Sequence, residues 1–460
     1  MTFVYSVLAF VVAISVLVAV HEFGHYWVAR RLGFKVLRFS IGFGRPLWKR
    51  VAGKDRTEYV IAAIPLGGYV KLLDEREGHV DPADLPRSFT RKPVSLRLLV
   101  LAAGPVFNFL FAVVAYWILF MSGMPQGRPV VGSVTLNSPA AAAGLRSGDQ
   151  ILGVDGRSTP DTKSVNFALL EKVLDDGRVV LDVRTEGGAE RRYELRVDSA
   201  DERHRLTEPG ALLPGLGFAF APGAAIVEID DVLSDSPAEQ AGLQDDDVLR
   251  SVDGRTFAHS GEFVTLVTGR AGERVMLGIE RDGTALTLPV VVRAEQENGK
   301  TVGKIGVALR NEPSWVVSFG PVESFGRATG ETWEMSKLTV TMLWNMLRGR
   351  VSVKNISGPI NIAAFAGETA RYGARQFLTF LAVVSISLGI LNLLPIPILD
   401  GGQMVFQAIE GVKGSPLSER AQIVGQQVGI ALLLILMSVA FYNDISSRIS
   451  EPAAATAPAR

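Results

Sequence analysis

The sequence predicts a polytopic α-helical membrane protein with four transmembrane helices, a membrane-associated β-hairpin or small sheet, and two inserted extracytoplasmic α+β modules. Three observations predict it. Four long apolar stretches are nearly free of charge, a segment motif recurs at an offset of 98 residues, and a β-patterned segment follows the first apolar stretch.

Composition sets the bounds. At 460 residues and 48% hydrophobic, the chain has room for several domains and a large lipid-facing surface. A formal net charge of zero gives no sign of a nucleic-acid partner. There are no cysteines, which excludes disulfides and thiolate zinc sites. Any metal must therefore rest on His, Asp or Glu, and the only histidines are His21, His25, His79, His204 and His259.

The four candidate spans are Thr2 to Val20, Leu98 to Gly127, Gln376 to Leu399 and Ala421 to Asn443. Each approaches or exceeds the roughly 20 apolar residues that a bilayer requires. The first lacks a basic n-region and a small-residue cleavage site, so it reads as a retained helix, 1–30, rather than a signal peptide. Arg30, Arg31, Lys35, Arg38, Arg45, Lys49 and Arg50 follow it, and Arg87, Arg91, Lys92 and Arg97 lead into the second span. This basic bias puts the 30–97 loop in the cytoplasm. The N-terminus, the 128–375 region and the C-terminus then lie outside.

Within 31–97, residues 36–72 are rich in β-branched and aromatic residues and carry Ile41-Gly42-Phe43-Gly44 and Pro65-Leu66-Gly67-Gly68 as bulge or turn points. They read as a hairpin beside the first span. After the second span, 98–127, the repeat begins. Ser138-Pro139-Ala140, Ala143-Gly144-Leu145, Asp149 and Val154-Asp155-Gly156 recur as Ser236-Pro237-Ala238, Ala241-Gly242-Leu243, Asp247 and Val252-Asp253-Gly254. Each copy predicts a short helix with Ser as N-cap and Pro in its first turn, then a strand, then an Asp-Gly turn. The modules are placed at 128–221 and 222–310. They resemble PDZ domains of bacterial envelope proteases, with Gly215-Leu216-Gly217-Phe218, and more weakly Ile305-Gly306-Val307, as loops that would receive a peptide terminus. Spacer or size-filter duty is an equal alternative.

The 311–375 segment contains an amphipathic helix over 322–349, on which Trp333, Val340, Trp344 and Leu347 share one face. It is read either as lying at the membrane interface or as packing on a neighbour. Segment 376–402 holds the third span, 403–420 a cytoplasmic loop, 421–443 the fourth span, and 444–460 a disordered Ala/Pro-rich tail.

His21-Glu22-Phe23-Gly24-His25 is an H-E-x-x-H motif. On a helix, residues four apart share a face, so both imidazoles can reach one zinc while Glu22 acts as general base on water. The motif closes a charge-free span, where ionisable groups are costly and usually functional. Two snorkelling interfacial histidines are the bland alternative. A catalytic zinc takes a third protein ligand. Asp400 is the candidate, with a simple helix-end residue at the interface as the bland alternative: it closes the third span in Asn392-Leu393-Leu394-Pro395-Ile396-Pro397-Ile398-Leu399-Asp400-Gly401-Gly402, where Pro395 and Pro397, close behind Asn392, break the helix. Irregular backbone at that depth implies burial in protein or a wet cavity. The first and third spans both end inside, so His21, His25 and Asp400 can meet near the cytoplasmic face.

This order of motifs, from Val20 to about Asp444, resembles the site-2 protease family of intramembrane metalloproteases, in its branch with tandem PDZ domains. The resemblance implies one zinc per chain held by His21, His25 and Asp400, with Glu22 as base. It implies Asn392 as a contact to the substrate backbone or scissile carbonyl, and Gly42, Phe43 and Gly44 in a loop that holds the substrate extended. It implies a bacterial inner-membrane location and single-span membrane proteins as substrates, such as an anti-sigma factor already trimmed by another protease. Gln403 departs from the His common among close relatives. Two rival readings are a catalytically silent PDZ-bearing scaffold and a metal transporter. The first predicts the loss of His21, Glu22, His25 or Asp400, all of which are present. The second predicts polar residues along several spans, which are otherwise clean.

Overall fold

The structure is a computed structural model that describes residues 2–78, 80–125, 127–221, 225–257, 260–297, 300–313 and 316–450. It divides into two compact units, one built from Met1–Gly123 with Ser318–Ile449 and the other on Met124–Val317.

Among the described residues, four helices of the first unit are long and apolar enough to cross a membrane. Helix α1, Thr2–Arg31, outruns the expected span. No proline interrupts it, so the H-E-x-x-H motif lies inside a continuous helix rather than after one. Arg30 and Arg31 occupy its last turn, where cations suit the negative helix end. Strands β1, Val36–Ala52, and β2, Thr57–Leu72, pair antiparallel through a register with several irregularities. Helix α2, Val94–Ser122, stops short of the expected 127 because Gly123 turns the chain with φ +88°.

Helix α3, Pro321–Leu347, turns Ser324, Ala328 and Thr332 inward and leaves Trp333, Val340, Trp344 and Leu347 exposed. It packs on α2 by its small-residue side, so its apolar face is the outward one. Helix α4, Pro359–Arg371, occupies a stretch read as a connection. Its N-terminus is held by Asp444, whose buried carboxylate accepts from the backbone N–H groups of Gly358, Ile360 and Asn361 at 2.8, 2.9 and 3.1 Å. That long-range cap is invisible to a local pattern. Helix α5, Ala374–Leu393, is the third candidate span.

Two expectations are corrected at the C-terminal side. Residues 403–420 were expected as a loop, but α6 covers Asp400–Lys413. Its Gly401-Gly402 start masks the helical pattern. A disordered tail was expected from 444, but α7 runs Glu419–Ser450, anchored at Asp444. Residues 451–460 lie outside the described residues. Helix α2 is the hub, packing against α1, α3, α5 and α6. Ala13, Leu17 and Leu381 form one buried cluster.

Among the described residues, the second unit contains two antiparallel sheets of four or more strands, besides two-stranded pairs. In the first, the strand order is Arg157–Ser158, Gln150–Val154, Arg178–Arg184, Glu190–Arg196. In the second, Thr284–Val291, Arg274–Arg281, Val248–Val252, Ala225–Val232 and Val307–Pro313 are neighbours in that order. The last strand passes the expected boundary at 310. The repeat has a common cause in each copy. Ser138 and Ser236 cap short helices by accepting from the N–H groups of Ala141 and Glu239. Asp155-Gly156 and Asp253-Gly254 both take positive φ, as a two-residue hairpin turn of the primed type demands. Each module has its own core, around Ile151, Leu169 and Leu181 in one and Ile229, Phe263 and Leu277 in the other.

Candidate metal centre

Helix α1 carries His21 and His25 one turn apart, both buried. Asp400 reaches them from the start of α6. Between α5 and α6 the chain forms a tight connection, Leu394 to Leu399, closed by the Ile396 N–H to Leu394 O and Leu399 N–H to Ile396 O bonds. Gln403 Nε2 donates to Pro397 O at 2.8 Å and so satisfies a carbonyl that the broken helix frees. Added Cβ atoms at Gly401 and Gly402 would strike the backbone of Leu393, Leu394 and Ile396, so only glycine lets α6 begin this close to the connection. Asp400 sits in the first turn of α6, where the helix dipole favours an anion.

Three ligand atoms converge. His21 Nε2 and His25 Nε2 are 3.2 Å apart, and Asp400 Oδ2 lies 3.1 and 3.4 Å from them. Tetrahedral zinc with bonds of about 2.0–2.1 Å separates its ligand atoms by about 3.3–3.4 Å. The observed triangle has that size. Its chemistry fits too. His25 Nδ1 lies 2.8 Å from Val100 O, and a carbonyl can only accept. Nδ1 therefore carries the proton, and in the neutral ring Nε2 presents a lone pair. Asp400 Oδ2 is buried and lacks a well-directed hydrogen bond. Lone pairs packed this closely repel unless a cation lies among them. Gly104 of α2 makes the floor: a Cβ there would collide with both imidazoles.

Glu22 is buried between the two histidines in sequence. Gly68 of β2 lies against it, since a Cβ there would stand 2.9 Å from Glu22 Cγ and 2.9 Å from Val18 Cγ1. The hairpin therefore runs beside the expected base. Phe43 is exposed and stacks on Tyr69 at 6.1 Å. Gly42 and Gly44 both have positive φ, +92° and +86°. Asn392 lies half-buried near the end of α5 and makes no hydrogen bond to His21, Glu22, His25 or Asp400. Of the other histidines, His204 belongs to the second unit, and His79 and His259 lie outside the described residues.

Sequence reasoning missed the contribution of α2. Val100 O holds His25, Asn108 Nδ2 stands 3.1 Å from His21 Nδ1, and Ser385 of α5 donates to Asn108 O at 2.9 Å. Asn108 is fully buried. An amide side chain inside an apolar span was the available signal.

Comparisons with known proteins give the family. The profile of Peptidase family M50 matches residues 9–436. The regulator of sigma-E protease of Escherichia coli (strain K12) is 43% identical over 97% of this chain and 99% of its own length. Protease RseP of Yersinia pestis is 42% identical over 97% and 99%. A Vibrio cholerae relative, provisionally named a zinc metalloprotease, is 40% identical over 96% and 98%. Among solved structures, the PDZ domain of an SdrC-like protein from Listeria monocytogenes aligns with 20% of this chain and 93% of its own at 22% identity, with a TM-score of 0.17, too low to carry an argument. On its near full-length match, the chain belongs to peptidase family M50, the site-2 proteases, and is a zinc metalloprotease of that type.

Proposed function

We propose that the protein hydrolyses peptide bonds within the transmembrane segments of single-span membrane proteins, using one zinc ion per chain held by His21, His25 and Asp400. The observation that carries this reading is the triangle of 3.2, 3.1 and 3.4 Å formed by their ligand atoms, with both histidines on a helix apolar enough to span a bilayer and Asp400 a few residues beyond the end of another.

Zinc, when bound, supplies the Lewis acidity that brings water's pKa toward roughly 7 and polarises a carbonyl. The protein's residues do the rest. Glu22 accepts the proton of the attacking water and returns it to the leaving amine. Asn392 donates a hydrogen bond where negative charge develops on the scissile carbonyl. A transmembrane substrate must first unwind, because its helix hides every peptide group. Pairing with the hairpin near Gly42, Phe43 and Gly44 replaces backbone bonds lost in unwinding. The position of β2 beside Glu22 supports this role.

The setting is the bacterial inner membrane, with termini and both modules periplasmic and the reaction near the cytoplasmic face. The substrate is a trimmed anti-sigma factor, in keeping with the name of the Escherichia coli relative. The modules are PDZ-like and gate access by size or by binding peptide termini. In the first module Gly217 N–H donates to Leu213 O and Pro214 O, and Ser138 packs on the glycine as Ser236 packs on Gly306 in the second. The second has a cavity of about 920 Å³ between Ile305-Gly306-Val307 and the helix bearing Phe263 and Val267. It is the better candidate for a peptide, although its loop is the weaker match in sequence.

Purified in detergent, Glu22→Gln should retain zinc while cleaving a single-span substrate about 10²–10⁴-fold more slowly. Normal cleavage by this variant overturns the reading. In the same assay, protein lacking 128–310 should cut untrimmed substrate; unchanged selectivity removes the gate.

A further inference from the structure

Both ring nitrogens of a metal-binding histidine matter, since the one that does not ligate sets the tautomer of the one that does. His25 is settled by Val100 O. His21 faces Asn108 instead. As the amide stands, Nδ2 is 3.1 Å from His21 Nδ1, and Asn108 Oδ1, also buried, has no hydrogen-bond partner.

That arrangement cannot serve a metal. An amide nitrogen only donates. To accept from it, His21 Nδ1 must be unprotonated, and the neutral ring then carries its proton on Nε2, the atom facing His25 Nε2 and Asp400 Oδ2. The two ends of an amide have the same shape, and only the hydrogen bonds tell them apart. Turned over, Asn108 presents Oδ1 to His21 Nδ1–H. The Nε2 lone pair is freed, and Nδ2 takes the place of the oxygen that had no partner.

We infer that Asn108 is a positioning residue whose amide oxygen accepts from His21 Nδ1–H and holds the imidazole in its metal-binding tautomer. The inference rests on His21 being a zinc ligand. It also gives the Ser385 bond a purpose. By donating to Asn108 O at 2.9 Å, Ser385 ties this support to α5, the helix that leads to Asp400.

The test compares Asn108→Leu, which has no acceptor, with Asn108→Asp, which when ionised only accepts. Zinc affinity of the full-length protein in detergent is read by chelator competition, with thermal unfolding of the same samples as a check on folding. Leu should weaken zinc binding about 10–100-fold, the usual cost of losing such a support. Asp should bind zinc at least as tightly as the parent. A merely space-filling Asn108 would not separate the two variants in this direction. If Leu binds zinc unchanged, or if a folded Asp variant loses zinc as Leu does, the inference falls. Should Leu fail to fold, the Asp result decides alone. A parent protein without zinc, or His21→Ala with undiminished affinity, would instead sink the ligand assignment itself.

Discussion

Arg97 on α2 grips Glu410 on α6 through two hydrogen bonds, Nη2 to Oε1 at 2.7 Å and Nη1 to Oε2 at 3.3 Å. The guanidinium is almost wholly buried, with 7% of its side chain exposed. Glu410 lies ten residues beyond Asp400 on one helix, about 15 Å along its axis. The ion pair thus fixes one end of a lever whose other end is the carboxylate facing His21 and His25. Glu410→Ala leaves a buried, unpaired cation, at a cost of about 3–5 kcal/mol. It should lower the thermal midpoint in detergent and speed zinc loss to chelator. Arg97→Met with Glu410→Leu should recover most of the stability, since apolar replacement of a whole buried pair is often neutral. An unchanged midpoint for Glu410→Ala would show that the pair holds nothing.

Gly104 gives a second prediction. It is no ligand, yet a single methyl group there would enter the space of both imidazoles. Gly104→Ala should therefore leave a folded protein that holds far less than the parent's zinc and has no protease activity. Gly330→Ala on α3, where nothing lies within 4 Å, is the control and should change neither. Metal analysis of the purified proteins decides. Parental zinc in the Gly104 variant would mean that the floor of the site lies elsewhere.

These two cases show what the sequence holds and what it hides. His21, Glu22, His25 and Asp400 were legible because each carries costly chemistry at a depth where apolar residues are the default. The spans and the repeat were legible because hydropathy and the Asp-Gly turns are local. The supports were not. Arg97 and Glu410 are 313 residues apart, and either looks like an ordinary charge at a helix end. Val100 acts through its backbone, which any residue possesses. Helix α4 owes its N-terminus to Asp444, and α6 begins with two poor helix formers. Long-range capping and close approach leave no periodicity to read.

The hairpin provides the last prediction. The family resemblance puts Gly42 and Gly44 in a loop that holds the substrate extended, but the structure gives each a prior reason to be glycine. Both have positive φ, which costs an L-residue roughly 1 kcal/mol or more. Gly42 has a second reason, since its Cβ would stand 2.9 Å from Ile64 O and 3.1 Å from Ala62 O across the hairpin. At Gly44 the nearest atom is Ile64 Cδ1 at 3.5 Å, an ordinary contact. The two positions therefore separate hairpin geometry from substrate approach. Gly42→Ala should loosen β1 from β2 and slow cleavage, with faster hydrogen exchange across 36–72. Gly44→Ala should leave exchange closer to that of the parent. If the substrate pairs along this strand, Gly44→Ala still slows cleavage while zinc content stays whole. Full activity in a Gly44→Ala protein with an intact hairpin would place the substrate on another edge, and Gly42 would then be a residue of the fold alone.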